Sequence, residues 1–310
     1  HKTKPLKETH LERGAQSRTR RMKAVMGVAF ILPSFLFMFA FMIYPLVSSL
    51  YISLSDYNFV YDLAPKLVGF KNYIAAFQDD AFLRTMKNTF VFAGAFFAVV
   101  MVLGLAFALL LFYYKGRSWL ARTCIFMPIV VPISLAAILF SWIFAENFGL
   151  LNYFIGDVLG LRQLTFGWLT NRSTAMVAIV SVTVWSSVGF ETILFLAGLQ
   201  AISNEILEAA RIDGAGPLRT IWLIILPNLR ETYVVTGIWA ILRGLKVFVQ
   251  PMVMTGGGPG NATRVMYMHI YDNAFEFFEM GYAAALGFIL SIIILGLSLI
   301  NIRLSSARGA

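Results

Sequence analysis

Six stretches of this chain are each long and apolar enough to cross a lipid bilayer, and nothing else in the sequence limits the fold so strongly. A helical span takes about 20 apolar residues at a rise of about 1.5 Å per residue. The runs cover roughly 24–54, 89–113, 120–145, 174–198, 233–255 and 281–302. With 59% hydrophobic and 13% charged residues, a chain of this length could not hide so much apolar surface in a water-soluble core. The expected fold is therefore all-α, a polytopic membrane protein with six transmembrane helices. The first run is long enough to tilt strongly, or to break at Pro33 or Pro45.

Basic residues orient these spans. With the N-terminus inside, the cytoplasmic pieces, counting Arg122, hold 16 Lys/Arg against seven in the outer loops, which places both termini in the cytoplasm. Residues 1–23, with eight Lys/Arg against Glu8 and Glu12, read as a disordered basic cytoplasmic tail beside anionic headgroups. Residues 24–303 form the membrane domain, and 304–310 a short cytoplasmic tail. Topology thus accounts for the net charge of +9, so membrane lipid rather than nucleic acid is the expected partner. One cysteine, Cys124, rules out a disulfide framework or a cysteine metal cluster. The three histidines are far apart, and no metal site is expected. Asp79-Asp80, and Glu276 with Glu279, read as solvated, helix-capping or interfacial carboxylates.

Between the fourth and fifth runs lies EAARIDGAGPLRTIWLIILP, residues 208–227, too charged to span a bilayer and too apolar to be a loose linker. Glu208, Ala209 and Ala210 favour helix, Asp213-Gly214-Ala215-Gly216-Pro217 interrupts it, and helix resumes at Leu218. The pattern predicts two short helices at an angle, a rigid knob carried by the ends of two spans. EAA, then DGA, then Ile224-x-Leu226-Pro227 resembles the cytoplasmic EAA loop of ABC importer permeases. The resemblance implies a coupling loop over about 203–227 whose first helix seats in a cleft of an ATPase subunit. On that basis Glu208 and Asp213 face or brace the ATPase, Gly214 makes the turn, and Ala209 and Ala210 allow close approach. The charge count independently puts this loop in the cytoplasm. No Walker motif occurs in the chain. It is expected to be a non-catalytic permease subunit that binds no cofactor itself, ATP and Mg being bound by two partner ATPase subunits.

Outer segments extend the resemblance. Leu54-Ser55-Asp56-Tyr57, Val68-Gly69-Phe70-Lys71-Asn72-Tyr73, Asn88-Thr89, Gly149-Leu150-Leu151-Asn152 and Thr255-Gly256-Gly257-Gly258-Pro259 are similar to positions in carbohydrate importer permeases of the maltose and glycerol-3-phosphate type. So is Phe195-Leu196-Ala197-Gly198-Leu199-Gln200, leading into the coupling loop. This similarity implies a second, homologous permease, an extracytoplasmic solute-binding protein, and a bacterial cytoplasmic (inner) membrane location. Thr232 stands where many such permeases carry proline, so the fifth span should begin straighter. Gly256, Gly257, Gly258 and Pro259 read as a re-entrant turn at the outer mouth rather than a phosphate loop, because no Gly-Lys-Ser/Thr follows.

The fifth run carries two cations. Counting from about Thr232, Arg243 lies about 16 Å and Lys246 about 21 Å along a helix. At that depth a cation costs on the order of 2.5–3.5 kcal/mol, so it should face a wet cavity or a counter-charge. Spacing of i, i+3 places both on one face, and Gln250 continues the polar stripe. One reading makes Arg243, Lys246, Gln250 and Glu191 part of the substrate pathway, Arg243 and Lys246 receiving an acidic, uronate-type oligosaccharide through charge-assisted hydrogen bonds. Another pairs Arg243 with Glu191, the acidic residue inside the fourth run, and a third is gating without ligand contact. Neutral oligosaccharide or a glycerol-3-phosphate-type solute stays open as cargo. A different class, an ion-coupled secondary transporter, would show internal inverted repeats, and none is found.

Overall fold

The computed structural model describes residues 10–114 and 118–306. It is almost wholly helical. Its two strands, β1 (Ser55–Asp56) and β2 (Lys66–Leu67), form a small antiparallel clasp in which Ser55 faces Leu67. Five helical stretches are long and apolar enough to span a membrane, and a bent pair makes a sixth.

The first span is α1 (His10–Met38) continued by α2 (Tyr44–Ser53) through a π turn at Phe39–Ile43. It breaks at neither proline. Pro33 lies inside α1 and Pro45 in the first turn of α2. A proline ring collides with the carbonyl four residues earlier, here that of Phe41, and the wider π turn at that point relieves the collision. The same arrangement recurs where a π turn at Ile221–Ile225 precedes Pro227. Helix also begins at His10, inside the stretch read as a disordered tail; residues 1–9 lie outside the described residues.

The loop after β2 leads through α3 (Lys71–Gln78) into the second span, α4 (Asp80–Tyr113), capped by Asp79 accepting from the Ala81 amide at 2.8 Å. The third run is not one straight helix. It divides into α5 (Ser118–Val130) and α6 (Ile133–Ile143), bent by 103°. Pro132 withholds an amide and sits in an extended conformation (φ −55°, ψ 130°) at the break. A short helix α7 (Leu150–Tyr153) follows, with Leu151 packed against the main buried cluster.

The fourth span, α8 (Ala175–Gln200), is the most enclosed, with 72% of its most apolar window buried. It packs along α4 and also meets α5 and α12. Small residues allow this: at Gly104 a β-carbon would stand 2.7 Å from the Glu191 β-carbon. Buried hydroxyls return to their own helix, as Thr183 does to Ile179 O at 2.9 Å and Thr192 to Val188 O at 2.7 Å.

Past α8 come α9 (Asn204–Ile212), α10 (Pro217–Thr220) and α11 (Leu226–Asn228), then α12 (Arg230–Leu245) and α13 (Val249–Thr255). Thr232 lies in the first turn of α12 packed against Gly198, so the ends of the two spans flanking the coupling segment touch directly. The chain closes with α14 (Met266–Tyr271) and the last span α15 (Met280–Ser306), which packs on α12, α2 and α3. None of the most apolar window of the first span is buried against the rest of the chain, so lipid or another subunit must cover it.

Candidate functional site

The predicted knob is present. α9 stops at Asp213, Gly214 takes the left-handed conformation (φ +76°), and the Ala215 amide donates to Ala210 O at 2.9 Å. That is a Schellman ending, which a side chain at Gly214 would strain. Pro217 then opens α10, its missing amide harmless in a first turn. Leu207 plugs α9 into a cluster of Leu111, Phe195, Leu199, Ile225 and Leu229. The two alanines divide: Ala210 is buried toward the chain, whereas Ala209 is exposed. Glu208 and Asp213 are exposed as well. Apolar side chains crowd the same outer surface, with Ile212 85% and Leu218 74% exposed. An outward face made of Glu208, Ala209, Ile212 and Asp213 is suited to a protein socket.

Arg243, Lys246 and Gln250 come together in a cleft of about 390 Å³, but not on one continuous helix. The fifth run is interrupted between Leu245 and Val249, with Phe248 at φ −146°, ψ −57°. Pro251 is the cause: its ring would strike the Val247 carbonyl in an unbroken helix. Unwound backbone at membrane depth is tolerated where it lines a cavity. Lys246 caps the first half and is exposed, Arg243 lies in its last turn, and Gln250 is buried in the second half. Trp239, Leu242, Val247, Phe248 and Val249 complete the lining with Ile133, from the helix after the bend in the third run. The aromatic lining was not singled out from the sequence, although Trp239 stands one helical turn before Arg243.

Glu191 is elsewhere. It is fully buried where α8 meets α4 and does not line the cleft, and neither carboxylate oxygen has a hydrogen-bond partner among the described residues. Among the described residues no carboxylate lies within ion-pair distance of Arg243 or Lys246. Instead the Arg243 guanidinium carbon sits 5.2 Å from the centre of the Trp239 ring.

Gly256–Pro259 do not line that cleft. Left-handed torsions at Gly256 (φ +57°) and Gly257 (φ +87°) end α13 and turn the chain toward α14. The loop is pinned to α4: Asn88 donates to Asn261 O at 2.8 Å and Arg264 O at 3.0 Å, and the Thr89 hydroxyl accepts from the Met266 amide at 2.8 Å.

Beside this loop a polar cluster ties three helices. Asp79 accepts from the Tyr282 hydroxyl at 3.0 Å and lies 3.3 Å from His269 Nε2, an ion-pair distance without hydrogen-bond alignment. Arg264 pairs with Asp272 next to it. Burial lowers the His269 pKa from its ordinary value, despite Asp79. For Asp79 burial acts in the opposite sense, but the Ala81 amide, Tyr282 and His269 together hold its carboxyl below the ordinary value. The folded state therefore binds fewer protons than the unfolded chain at both groups, and stability rises with pH. The His269 contribution is complete above about pH 6.5 and fades as pH falls from there, while that of Asp79 fades only below about pH 3.9. The thermal midpoint of the solubilised protein is expected to drop between about pH 7.5 and 5, and to drop less in His269→Gln. Equal drops in both proteins would show that His269 is not the group responsible.

Residues 100–307 match the family described as binding-protein-dependent transport system inner membrane component. The probable ABC transporter permease protein YurN of Bacillus subtilis (strain 168) is 34% identical, over 88% of this chain and 94% of its own length. The sulfoquinovosyl glycerol transport system permease protein SmoG of Agrobacterium fabrum (strain C58 / ATCC 33970) is 31% identical over 86% and 85%. Among solved structures, a chain of a bacterial ABC transporter involved in the import of the acidic polysaccharide alginate superposes with a TM-score of 0.81. It is 21% identical, with 95% of this chain and all of that one covered.

Proposed function

Because this chain belongs to the binding-protein-dependent transport system inner membrane component family, we propose that its interrupted fifth span lines the route of an ATP-driven importer, with an acidic, uronate-type oligosaccharide as the favoured cargo. The chain is the non-catalytic, membrane-spanning permease subunit. Carbohydrate as cargo is supported by a relative named for transport of sulfoquinovosyl glycerol. Acidity rests on one observation: Arg243 and Lys246 share a cleft with no carboxylate beside them among the described residues. Two cations kept unpaired at membrane depth are costly unless a ligand supplies the counter-charge.

In this reading a second permease closes the other half of the pathway in a bacterial inner membrane. A loaded solute-binding protein docks outside, and two ATPase subunits grip the exposed face of α9. Their closure on ATP is carried through the Gly198–Thr232 contact into α8 and α12, so that the cleft alternates between the two sides.

The test is uptake by the reconstituted transporter, with its binding protein, of trigalacturonate and of maltotriose. Arg243→Ala/Lys246→Ala is expected to depress trigalacturonate uptake by about tenfold or more, as loss of two charge-assisted contacts implies, and to leave maltotriose uptake within about twofold. Equal effects on both sugars, or no trigalacturonate uptake by the unaltered transporter, would reject the acidic cargo.

A further inference from the structure

We propose that Trp239 is a positioning residue that holds the Arg243 guanidinium in the cleft, and that Phe190 fixes Trp239 in turn. The inference rests on the reading of the cleft as the substrate route, and it names what makes Arg243 an effective receptor there.

An arginine on a long, rotamer-rich stem needs something to hold it if it is to present a fixed fork of N–H donors. A carboxylate would hold it but would also neutralise it. Here the carboxylate nearest in sequence to Phe190, Glu191, is on a residue packed against α4 and has no hydrogen-bond partner among the described residues. The aromatic face of Trp239 takes that place. Trp239 is four residues before Arg243 on α12, hence on the same side of the helix, and its ring centre is 5.2 Å from the guanidinium carbon, within the cation–π range of about 6 Å. Such a contact uses the charge's attraction to the ring quadrupole while consuming none of the guanidinium's N–H donors. Arg243 is thereby placed without being neutralised, and both its charge and its donors remain for an anionic ligand.

The indole is itself braced. The ring of Phe190 stacks on it with centres 4.6 Å apart and planes inclined by 30°. Phe190 belongs to α8, Trp239 and Arg243 to α12, and these are the helices at either end of the coupling segment. The three side chains therefore form a bridge between them that ends in the cleft, and a shift of α8 against α12 bears directly on where the guanidinium points. Trp239 and Arg243 both line the cleft, whereas Phe190 stands one ring behind it.

The experiment uses the complete reconstituted transporter with its binding protein, measuring KM and maximal rate for trigalacturonate and for maltotriose. Trp239→Leu is expected to raise KM for trigalacturonate by about three- to tenfold, the range a partly desolvated cation–π contact supports, and by more than it raises the KM for maltotriose. Trp239→Phe, which keeps an aromatic face, should restore most of the loss, and Phe190→Leu should raise the same KM by about twofold. Should Trp239→Leu fail to assemble with the ATPase subunits, Phe190→Leu decides in its place, an unchanged trigalacturonate KM overturning the proposal. If Arg243→Ala raises that KM but Trp239→Leu does not, the positioning role is wrong and the cleft reading survives. If Arg243→Ala changes nothing either, both fall together.

Discussion

Replacing Ala209 with tryptophan is expected to abolish the stimulation of ATP hydrolysis by loaded binding protein, a loss of well over about tenfold, while the permease still folds and inserts. Ala209 is exposed on α9, and substitutions at such surface positions usually change stability by less than about 0.5 kcal/mol. Only an external socket would reject the added bulk. Every 1.4 kcal/mol lost from a docking contact is about tenfold in affinity, and overpacking a close-packed interface costs about 1–3 kcal/mol and occasionally more. The neighbouring residue provides the control. Ala210 is 5% exposed and faces the chain, so Ala210→Trp should fail earlier, at the level of folding, through overpacking. The measurements are ATPase activity in liposomes and co-purification of the ATPase subunits. Full stimulation in Ala209→Trp would mean that this face of α9 is not the docking surface, and the coupling role of Glu208, Asp213 and Gly214 would lose its basis.

The second large effect is expected at Gly104. Leucine there should prevent recovery of an assembled, monodisperse complex, or lower its thermal midpoint sharply. A β-carbon would lie 2.7 Å from the Glu191 β-carbon and 3.4 Å from its backbone carbon, so relief requires the whole of α8 to move rather than one side chain to turn. Overpacking of a close-packed core costs about 1–3 kcal/mol when neighbours can yield, and a helix backbone yields least. Because α8 leads straight into the coupling segment, a partly folded variant should also show weakened ATPase stimulation. Gly104→Ala is the graded version, expected to do less of the same. A leucine variant with unaltered melting and transport would show that α4 and α8 are not in such close contact in the membrane.

The outer segments illustrate how a sequence likeness and a physical role come together. Asn72 donates to Ser53 O at 3.0 Å and Ser55 O at 2.8 Å; Asn152 donates to Phe166 O at 2.8 Å and accepts from the Trp168 indole at 2.8 Å. Asn88 and Thr89 pin the glycine-rich loop in the same manner. An irregular loop at a helix end must have its backbone polar groups satisfied by something, and these side chains do so. They are staples, and the cleft is built from other residues.

Residue order alone settled the class and the joint. Apolar runs of membrane length force spanning helices, and the string from Glu208 to Pro227 dictates a helix, a glycine turn and a second helix, because helix propensity, a left-handed glycine and a proline first turn are local properties. Pro132 and Pro251 interrupt the third and fifth spans, through the carbonyl each ring excludes, but hydropathy runs straight across both and each run reads as one continuous helix. Three-dimensional packing decided the rest. Whether Arg243 met Glu191 or an aromatic ring, and which of Ala209 and Ala210 faced outward, depended on how α8, α4 and α12 rotate about their own axes. That rotation is set by small residues such as Gly104 and Gly198 admitting a neighbouring helix, a relation between distant parts of the chain that no local pattern encodes.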